Sequence, residues 1–438
     1  MKVLYAVLVI ILGFVYSCSD PLPVNPAESE LNPFTNGSSE RNIVVAISDI
    51  HLGADLSYAE IKNNLPYLVT FLEKVRVSPN VKELVLAGDI IDEWFVPADV
   101  DTYNGKDQHD FVQRVASANK AVVDVFNRII QEGKIKVTYA PGNHDLAVTA
   151  VNVAEIFPGI NQARDDIQGL GTYYPDGLPQ IAIEHGHRYN FYVAPDPISN
   201  KDIAPGSIMP PGYFFTRIAT LHVVQNCKIA GDTISNITAN QSGGESQELV
   251  FIYWKVWKAL FTQLPIENKL DEKIIITNID GFTERYAVND ILPYQLSPGG
   301  HIDMNLFRGI QDTWNERQTI NKVPVNIPAS QAIAYGAISS QTDIQAKTQY
   351  FLNSNSDTRV VIFGHTHEAK IIASENHRGQ KSVYANTGTW IDHNPNKTTM
   401  NFIVITPQSS GNTSQTYIKL YNFEGGVFSE MSADSLRF

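Results

Sequence analysis

Apolar runs recur along this chain, and each ends abruptly in polar and glycine residues. "NIVVAISDIHLG" from Asn42, "VKELVLAGDIID" from Val81, "KIKVTYAPGNHD" from Lys134, "QIAIEHGHRYN" from Gln180, "RVVIFGHTHEA" from Arg359 and "KSVYANTGTW" from Lys381 share that plan. Uninterrupted apolar runs of this length suit strands buried on both faces. Between the early runs the period changes. In "HDFVQRVASANKAVVDVFNRIIQEG", Phe111, Val115, Ala118, Val122, Phe126 and Ile129 recur every three or four residues, and this predicts a helix stopping at Gly133. Strands alternating with helices predict an α/β layered core. In such cores ligands bind beyond the carboxyl ends of the strands, where these polar clusters sit.

One interval breaks the rhythm. Residues 193–355 are too many for a single connection. They open with the Pro-rich "APDPISNKDIAPGSIMPPGYF" and continue with the aromatic "ELVFIYWKVWKALFTQL". Helix-like segments follow at Leu306–Arg317 and Ser330–Tyr350, with a single clear strand candidate, "KIIITNI". The interval reads as an inserted, mostly helical cap that divides the core into 41–192 and 356–438. "NFIVITP" and "TYIKLYNF" complete a sheet at the end. The aromatic segment, with Tyr253, Trp254, Trp257 and Phe261, reads either as a helix burying one face or as the lining of a pocket for an apolar group.

Composition narrows the classes. A hydrophobic content of 43% and a charged content of 18% over 438 residues are those of a globular protein. A formal net charge of −13 argues against nucleic acid as a partner, because phosphate backbones call for a basic surface. It leaves room for a phosphorylated small molecule, since bound cations would dominate the local field. Residues 1–18 form an apolar leader of secretory length ending in "VYSC", which resembles a bacterial lipobox with Cys18 as the lipidated residue. Residues 19–40, rich in Pro, Ser, Asn and Glu, read as a flexible tether. The expected location is the bacterial cell envelope, with the protein exported and anchored to a membrane through Cys18.

The strand-end residues carry the chemistry. Asp49 and His51, Asp89 and Asp92, Asn143, His144 and Asp145, His185 and His187, and His365 and His367 offer carboxylate, imidazole and amide groups without a cysteine. That mixture suits Mn, Fe or Zn, and Mg less well. Each cluster alone has a bland reading as a helix cap or a loop pair. Their joint occurrence, always at a strand end, points to a metal site.

The ordered set D-x-H, G-D-x-x-D, G-N-H-D, H-G and G-H-x-H resembles the calcineurin-like metallophosphoesterase family. Its members here are "DIH" at 49–51, "GDIID" at 88–92, "GNHD" at 142–145, "HG" at 185–186 and "GHTH" at 364–367. The resemblance implies a four-layer α/β/β/α sandwich around two divalent metal ions. It places Asp49, His51 and His367 on one ion, Asp89 between the two, and Asn143, His185 and His365 on the other. It makes His144 the acid near the leaving group, with Asp145 a candidate to orient it. The implied activity is hydrolysis of a phosphate ester, diester or pyrophosphate, in which two cations on the order of 4 Å apart activate water and clamp phosphoryl oxygens.

Departures limit the resemblance. Glu93 and Trp94 follow Asp92, where the protein phosphatase branch has arginine. "GDIIDEW", "HGHRYN" and "NTGTW" look more like the branch of UDP-2,3-diacylglucosamine pyrophosphohydrolases, whose cytosolic substrate an exported lipoprotein would not meet. A phosphorylated small molecule or lipid is the expected substrate class. His187 reads as a substrate contact or as support for a ligand, and Arg188 as a phosphate donor or a surface charge. The competing expectation is a non-catalytic surface binding protein that uses the same scaffold.

Overall fold

Alternation along the strands sorts their side chains onto two faces, and the layers follow from that sorting. The structure is a computed structural model that describes residues 31–409 and 414–438. The leader, Cys18 and the first part of the tether lie outside those residues. The strands are β1 (Ile43–Ile47), β2 (Val81–Ala87), β3 (Lys136–Ala140), β4 (Asn161–Gln162), β5 (Thr172–Tyr173), β6 (Ile181–Glu184), β7 (Val360–Phe363), β8 (Lys370–Glu375), β9 (Lys381–Asn386), β10 (Asn401–Thr406), β11 (Thr416–Asn422) and β12 (Ser429–Leu436). One sheet runs β12-β11-β10-β1-β2-β3-β4 and the other β8-β9-β7-β6-β5. β1 to β4 run parallel to one another, as do β6, β7 and β9, whereas β10 joins β1, β5 joins β6 and β8 joins β9 antiparallel.

Val44, Ala46, Val85 and Ala87 from the first sheet pack with Ile181, Ile183, Ile362 and Ala385 from the second, forming the layer between the sheets. The alternate residues Ile43, Val45, Ile47, Leu84 and Leu86 pack outward on Phe71, Leu72, Phe111 and Phe126 of a helical layer. That layer contains α1 (Leu65–Val77), α2 (Gln108–Ala118), α3 (Lys120–Glu132) and α4 (Ala150–Ile156). On the far side, Ala182, Val361, Phe363 and Tyr384 are covered by Ala346, Tyr350 and Phe351 at the end of the insertion. The order is therefore helix, sheet, sheet, helix, and strands such as β1, β2, β6 and β7 are buried on two faces, as their apolar runs require.

The single helix expected between Phe111 and Gly133 is two. Asn119 interrupts it, donating its amide to the Gly53 and Val115 carbonyls. Gly133 ends the second helix at φ 62°, a left-handed cap that glycine adopts without strain.

Between β6 and β7 the regular structure is mainly helical, with helices at Pro211–Gln225, Gly244–Gln263, Trp314–Ile320, Ala329–Tyr335 and Gln341–Ala346, joined by long stretches of turn and irregular chain. Within "KIIITNI" only Ile275–Ile276 pair as a strand, and the Leu306–Arg317 segment becomes helical only from Trp314. Tyr253, Trp254, Trp257 and Phe261 are all buried. Tyr253, Trp257 and Phe261 make ring contacts with one another and with Tyr192 and Phe215, and Trp254 stacks on Phe251, so this stretch is packed as core. Two buried arginines clasp the insertion to neighbouring loops through carbonyl oxygens. Arg217 donates to Val96 and Pro97 at 2.7 and 2.9 Å, and Arg317 to Phe191 and Pro195 at 2.8 and 3.0 Å.

The expected tether reaches too far. Phe34 is 2% exposed and packs against Phe71, Phe402 and Phe428. The Ser78 hydroxyl donates to its carbonyl at 2.8 Å. Burying one large aromatic fixes the preceding chain, because a phenyl ring gains about 1.5–3 kcal/mol on leaving water. The folded domain therefore begins before residue 41.

Candidate metal centre

Parallel strands share a direction, so the loops after β1, β2, β3, β6 and β7 open at one edge. That edge gathers Asp49 and His51, Asp89 and Asp92, Asn143 and His144, His185, and His365 and His367. Asp49 Oδ1 lies 3.2 Å from His367 Nε2, and His51 Nε2 lies 3.3 Å from the same nitrogen. Asp89 Oδ2 lies 3.1 Å from His185 Nε2 and 3.8 Å from His51 Nε2. Asn143 Oδ1 is 3.1 Å from His185 Nε2. Donor atoms of Asp49, His51 and His367, and of Asp49, Asp89 and His185, are close enough to surround a cation. The His365 ring lies at the edge of these groups, 5.2 Å from the His185 ring, and its backbone N–H donates to the Asp49 carboxylate.

The local backbone is strained where ligands are expected. Asp49, His51, Asp89, His365 and His367 all have φ between 51° and 73°. Ordinary side chains in that region cost on the order of 1–3 kcal/mol each, and such outliers cluster at functional sites. Crowding also explains the glycines: a Cβ on Gly142 would lie 2.2 Å from Asp89 Oδ1, and one on Gly364 would lie 2.5 Å from Asp49 Oδ2.

Outer groups decide which imidazole nitrogen faces the centre. His185 Nδ1 lies 2.9 Å from the Ala87 carbonyl, which makes it the donor and leaves the Nε2 lone pair toward Asp89 and Asn143. His51 Nδ1 meets Asp92 at 2.9 Å and Glu60 at 3.1 Å, which frees its Nε2 in the same way. The "NTGTW" segment braces two of the loops. Asn386 donates to the Gly364 carbonyl at 2.6 Å, and the Thr389 hydroxyl and Trp390 N–H donate to the Asp49 carbonyl.

Charge in the site calls for a cation. Asp49 and Asp89 are both buried; burial and the neighbouring Asp89 push the Asp49 carboxyl up, but His185 and His367 outweigh them and hold it below the ordinary value. Burial also raises Asp89, but the imidazoles of His185, His144 and His51 outweigh it and hold the group well below the usual carboxylate range. In return, burial lowers His185 while Asp89 and Asp49 lift it to about 9. Burial and its imidazole neighbour His185 press His365 down to about 3. Positive charge is thus drawn onto the imidazoles wherever carboxylates face them, and a divalent ion would supply that charge with the lone pairs already aimed. The donor set fits such an ion.

The open edge carries His144 and His367, whose side chains are 13% and 24% exposed. His144 Nδ1 is held by Asp92 Oδ1 at 2.8 Å, and its ring leans on Trp94 at 5.0 Å. Asp145 was expected to orient this imidazole. Its oxygens instead accept backbone N–H groups of Gly142 at 2.6 Å and Ile90 at 2.9 Å, so it shapes the loop, and Asp92 takes the orienting place. Arg188 is also not at the centre. Its guanidinium is buried among Asp165, Glu184 and the Asn321 carbonyl. His187 lies behind His185, ring centroids 5.4 Å apart, with Nε2 donating to the Gly169 carbonyl. Glu60 and Asn190 both lie against candidate ligands; Asn190 closes the "HGHRYN" segment, whereas Glu60 carries no motif in the sequence. Glu60 sits in irregular chain after "DIHLG", where neither period nor spacing marks it.

No curated protein matches the chain. Among solved structures it is similar to a single mutant of Vps29 from Entamoeba histolytica, at 11% identity and a TM-score of 0.27, covering 91% of this chain and 99% of that one. Residues 43–209 match the family described as calcineurin-like phosphoesterase, which takes in the loops of Asp49, Asp89, Asn143 and His185. Residues 43–209 are thus similar to calcineurin-like phosphoesterases, within a mixed α/β fold whose candidate metal ligands lie at the carboxyl edge of the strands.

Proposed function

We propose that this protein is a hydrolase of phosphate esters, phosphodiesters or pyrophosphates that works with two divalent ions of the Mn, Fe or Zn type. One observation carries the reading. Asp49, His51 and His367 converge on one side of Asp89, Asn143 and His185 converge on the other, and His144 stands at the open edge. When bound, the ions would supply positive charge for phosphoryl oxygens and an activated water. Asp49, His51, Asp89, Asn143, His185, His365 and His367 would hold them. The chain's own residues do the rest. Asp92 fixes the His144 ring with Nδ1 toward the carboxylate, so Nε2 is the nitrogen that delivers a proton to a leaving oxygen. Burial lowers the His144 pKa, but Asp92 and Asp89 outweigh it and raise the value, which favours the protonated ring that an acid needs. Trp94 covers one face of the ring and limits its rotation.

The substrate class proposed is a phosphorylated small molecule or lipid met outside the cytoplasm, with the protein held at a membrane through Cys18. The decisive experiment is turnover of an aryl phosphate and a bis-aryl phosphodiester by purified protein, with Mn2+ and after chelation. Metal-dependent turnover that His144→Ala abolishes while ion content persists supports the proposal. Tight ion binding with no turnover across nucleotides, sugar phosphates, phospholipids and diesters would sink it and favour a binding role.

A further inference from the structure

The Pro211–Gln225 helix reaches the candidate acid through one indole. Trp94 is 1% exposed, and its ring leans on His144 with centroids 5.0 Å apart and planes 30° from parallel. Tyr213 meets the same indole edge-on at 6.2 Å, and Gly212 packs so close that a Cβ there would lie 3.3 Å from Trp94 Cζ3. Both residues stand in the first turn of the helix, and that turn is anchored. The Gly212 N–H donates to the Tyr192 carbonyl at 2.8 Å. One turn on, the buried Arg217 donates to the Tyr213 hydroxyl while it clasps the Val96 and Pro97 carbonyls.

Among the described residues, the His144 side chain has a single hydrogen bond to steer it. Asp92 Oδ1 holds Nδ1 at 2.8 Å, which fixes an axis but leaves rotation of the ring about that axis open. Neighbouring rings restrict the rotation, His51 in an edge contact at 4.5 Å and Trp94 over the face. The indole depends on packing in turn, because Trp94 Nε1 has no hydrogen-bond partner among the described residues. Tyr213 therefore backs the ring that backs the acid.

We propose that Tyr213 is a positioning residue for His144, acting through Trp94, so that the helix between β6 and β7 helps aim the proton at the leaving oxygen. The inference rests on the hydrolase reading above. Proton transfer needs a donor within hydrogen-bond reach and in line, so a loosened ring costs rate where a proton is needed most.

The test exploits the leaving group. A p-nitrophenolate leaves with little help from an acid, whereas an alkoxide needs a proton. Purified full-length protein loaded with Mn2+ is assayed on a p-nitrophenyl and an alkyl ester of the same phosphate type, with bound metal counted by atomic emission. Tyr213→Leu removes the ring, and Tyr213→Phe keeps it. In Tyr213→Leu, kcat/KM should fall about 10-fold on the alkyl ester and at most about 3-fold on the p-nitrophenyl ester, at unchanged ion content. Tyr213→Phe should restore the parental ratio. Equal losses on both esters, or none on either, overturn the inference while the hydrolase reading stands.

A second readout needs no turnover. The His144 ring protons lie beside the indole and feel its ring current, and their proton NMR signals are assigned by their absence in His144→Ala. Tyr213→Leu should move them and Tyr213→Phe should not. Unmoved signals in Tyr213→Leu overturn the inference even in a parent without activity, the result that would sink the hydrolase reading. If Tyr213→Leu unfolds, Trp94→Phe takes its place, with the same selective loss expected and equal losses again decisive against the inference.

Discussion

Asp92 holds His144 across 2.8 Å with one carboxylate oxygen while the other meets His51 at 2.9 Å. A single buried carboxylate thus orients both the candidate acid and a candidate metal ligand. The two imidazoles in turn hold Asp92 itself far below the ordinary carboxylate range, against the upward push of burial. Asp92→Asn keeps the shape and removes the charge that lifts His144. The basic limb of the pH profile of kcat/KM should then move to lower pH, because the imidazolium loses its proton sooner. Turnover at neutral pH should fall about 100-fold, the low end of the range for acid–base catalysis. An unshifted basic limb would remove His144 from the acid role.

Glu60 shares the His51 Nδ1 proton with Asp92, at 3.1 Å, from a position 14% exposed. Glu60→Ala should weaken Mn2+ binding by less than the roughly 10-fold expected of a sole outer partner, since Asp92 remains. Calorimetric titration reads this directly, and a complete loss of one site would instead make Glu60 a ligand.

Gly142 has no room for a methyl group. Its Cβ would sit 2.2 Å from Asp89 Oδ1 and 2.4 Å from Asp89 N, both anchored atoms. Gly142→Ala should lower stability by up to about 3 kcal/mol, the range for overpacking, and displace Asp89. Denaturant unfolding and metal counting should change together. A variant that keeps both values would show that the loop yields freely.

Glu93 has a buried carboxyl that accepts from Tyr103 at 2.8 Å and Gln108 at 2.9 Å. Burial lifts it from an ordinary 4.5 to about 8, more than those two hydrogen bonds lower it. The folded chain therefore holds a proton that the unfolded chain releases near 4.5, and stability declines as pH climbs from there through about 8. Glu93→Gln keeps an acceptor for Tyr103 and abolishes the titration. Its Tm should match the parent below the unfolded value and exceed it at pH 9, as measured by calorimetric scans in buffers matched for ionic strength.

The sequence by itself determined the strand ends. Runs such as "VVIF" before Gly364 and "IVVAI" before Ser48 are apolar at every position, which suits a strand covered on both faces. The ligand-type residues after them then share an edge because parallel strands share a direction. The helical periodicity of the insertion was legible too, and its aromatic stretch at Tyr253–Phe261 is buried as one of the two readings held. Tertiary structure alone decided which groups serve which imidazole. Asp145, beside His144 in "GNHD", is the candidate the motif offers, and only the folded loop spends it on backbone N–H groups and puts Asp92 against the ring. Arg188 was withdrawn from the centre by Asp165 and Glu184, partners whose approach depends on packing. Glu60 reaches His51 from irregular chain, and Asn190 reaches His365 from the end of "HGHRYN" across a long interval of sequence. Hydrogen bonds depend on direction and on tenths of an ångström, whereas sequence patterning reports burial, and burial leaves such choices open.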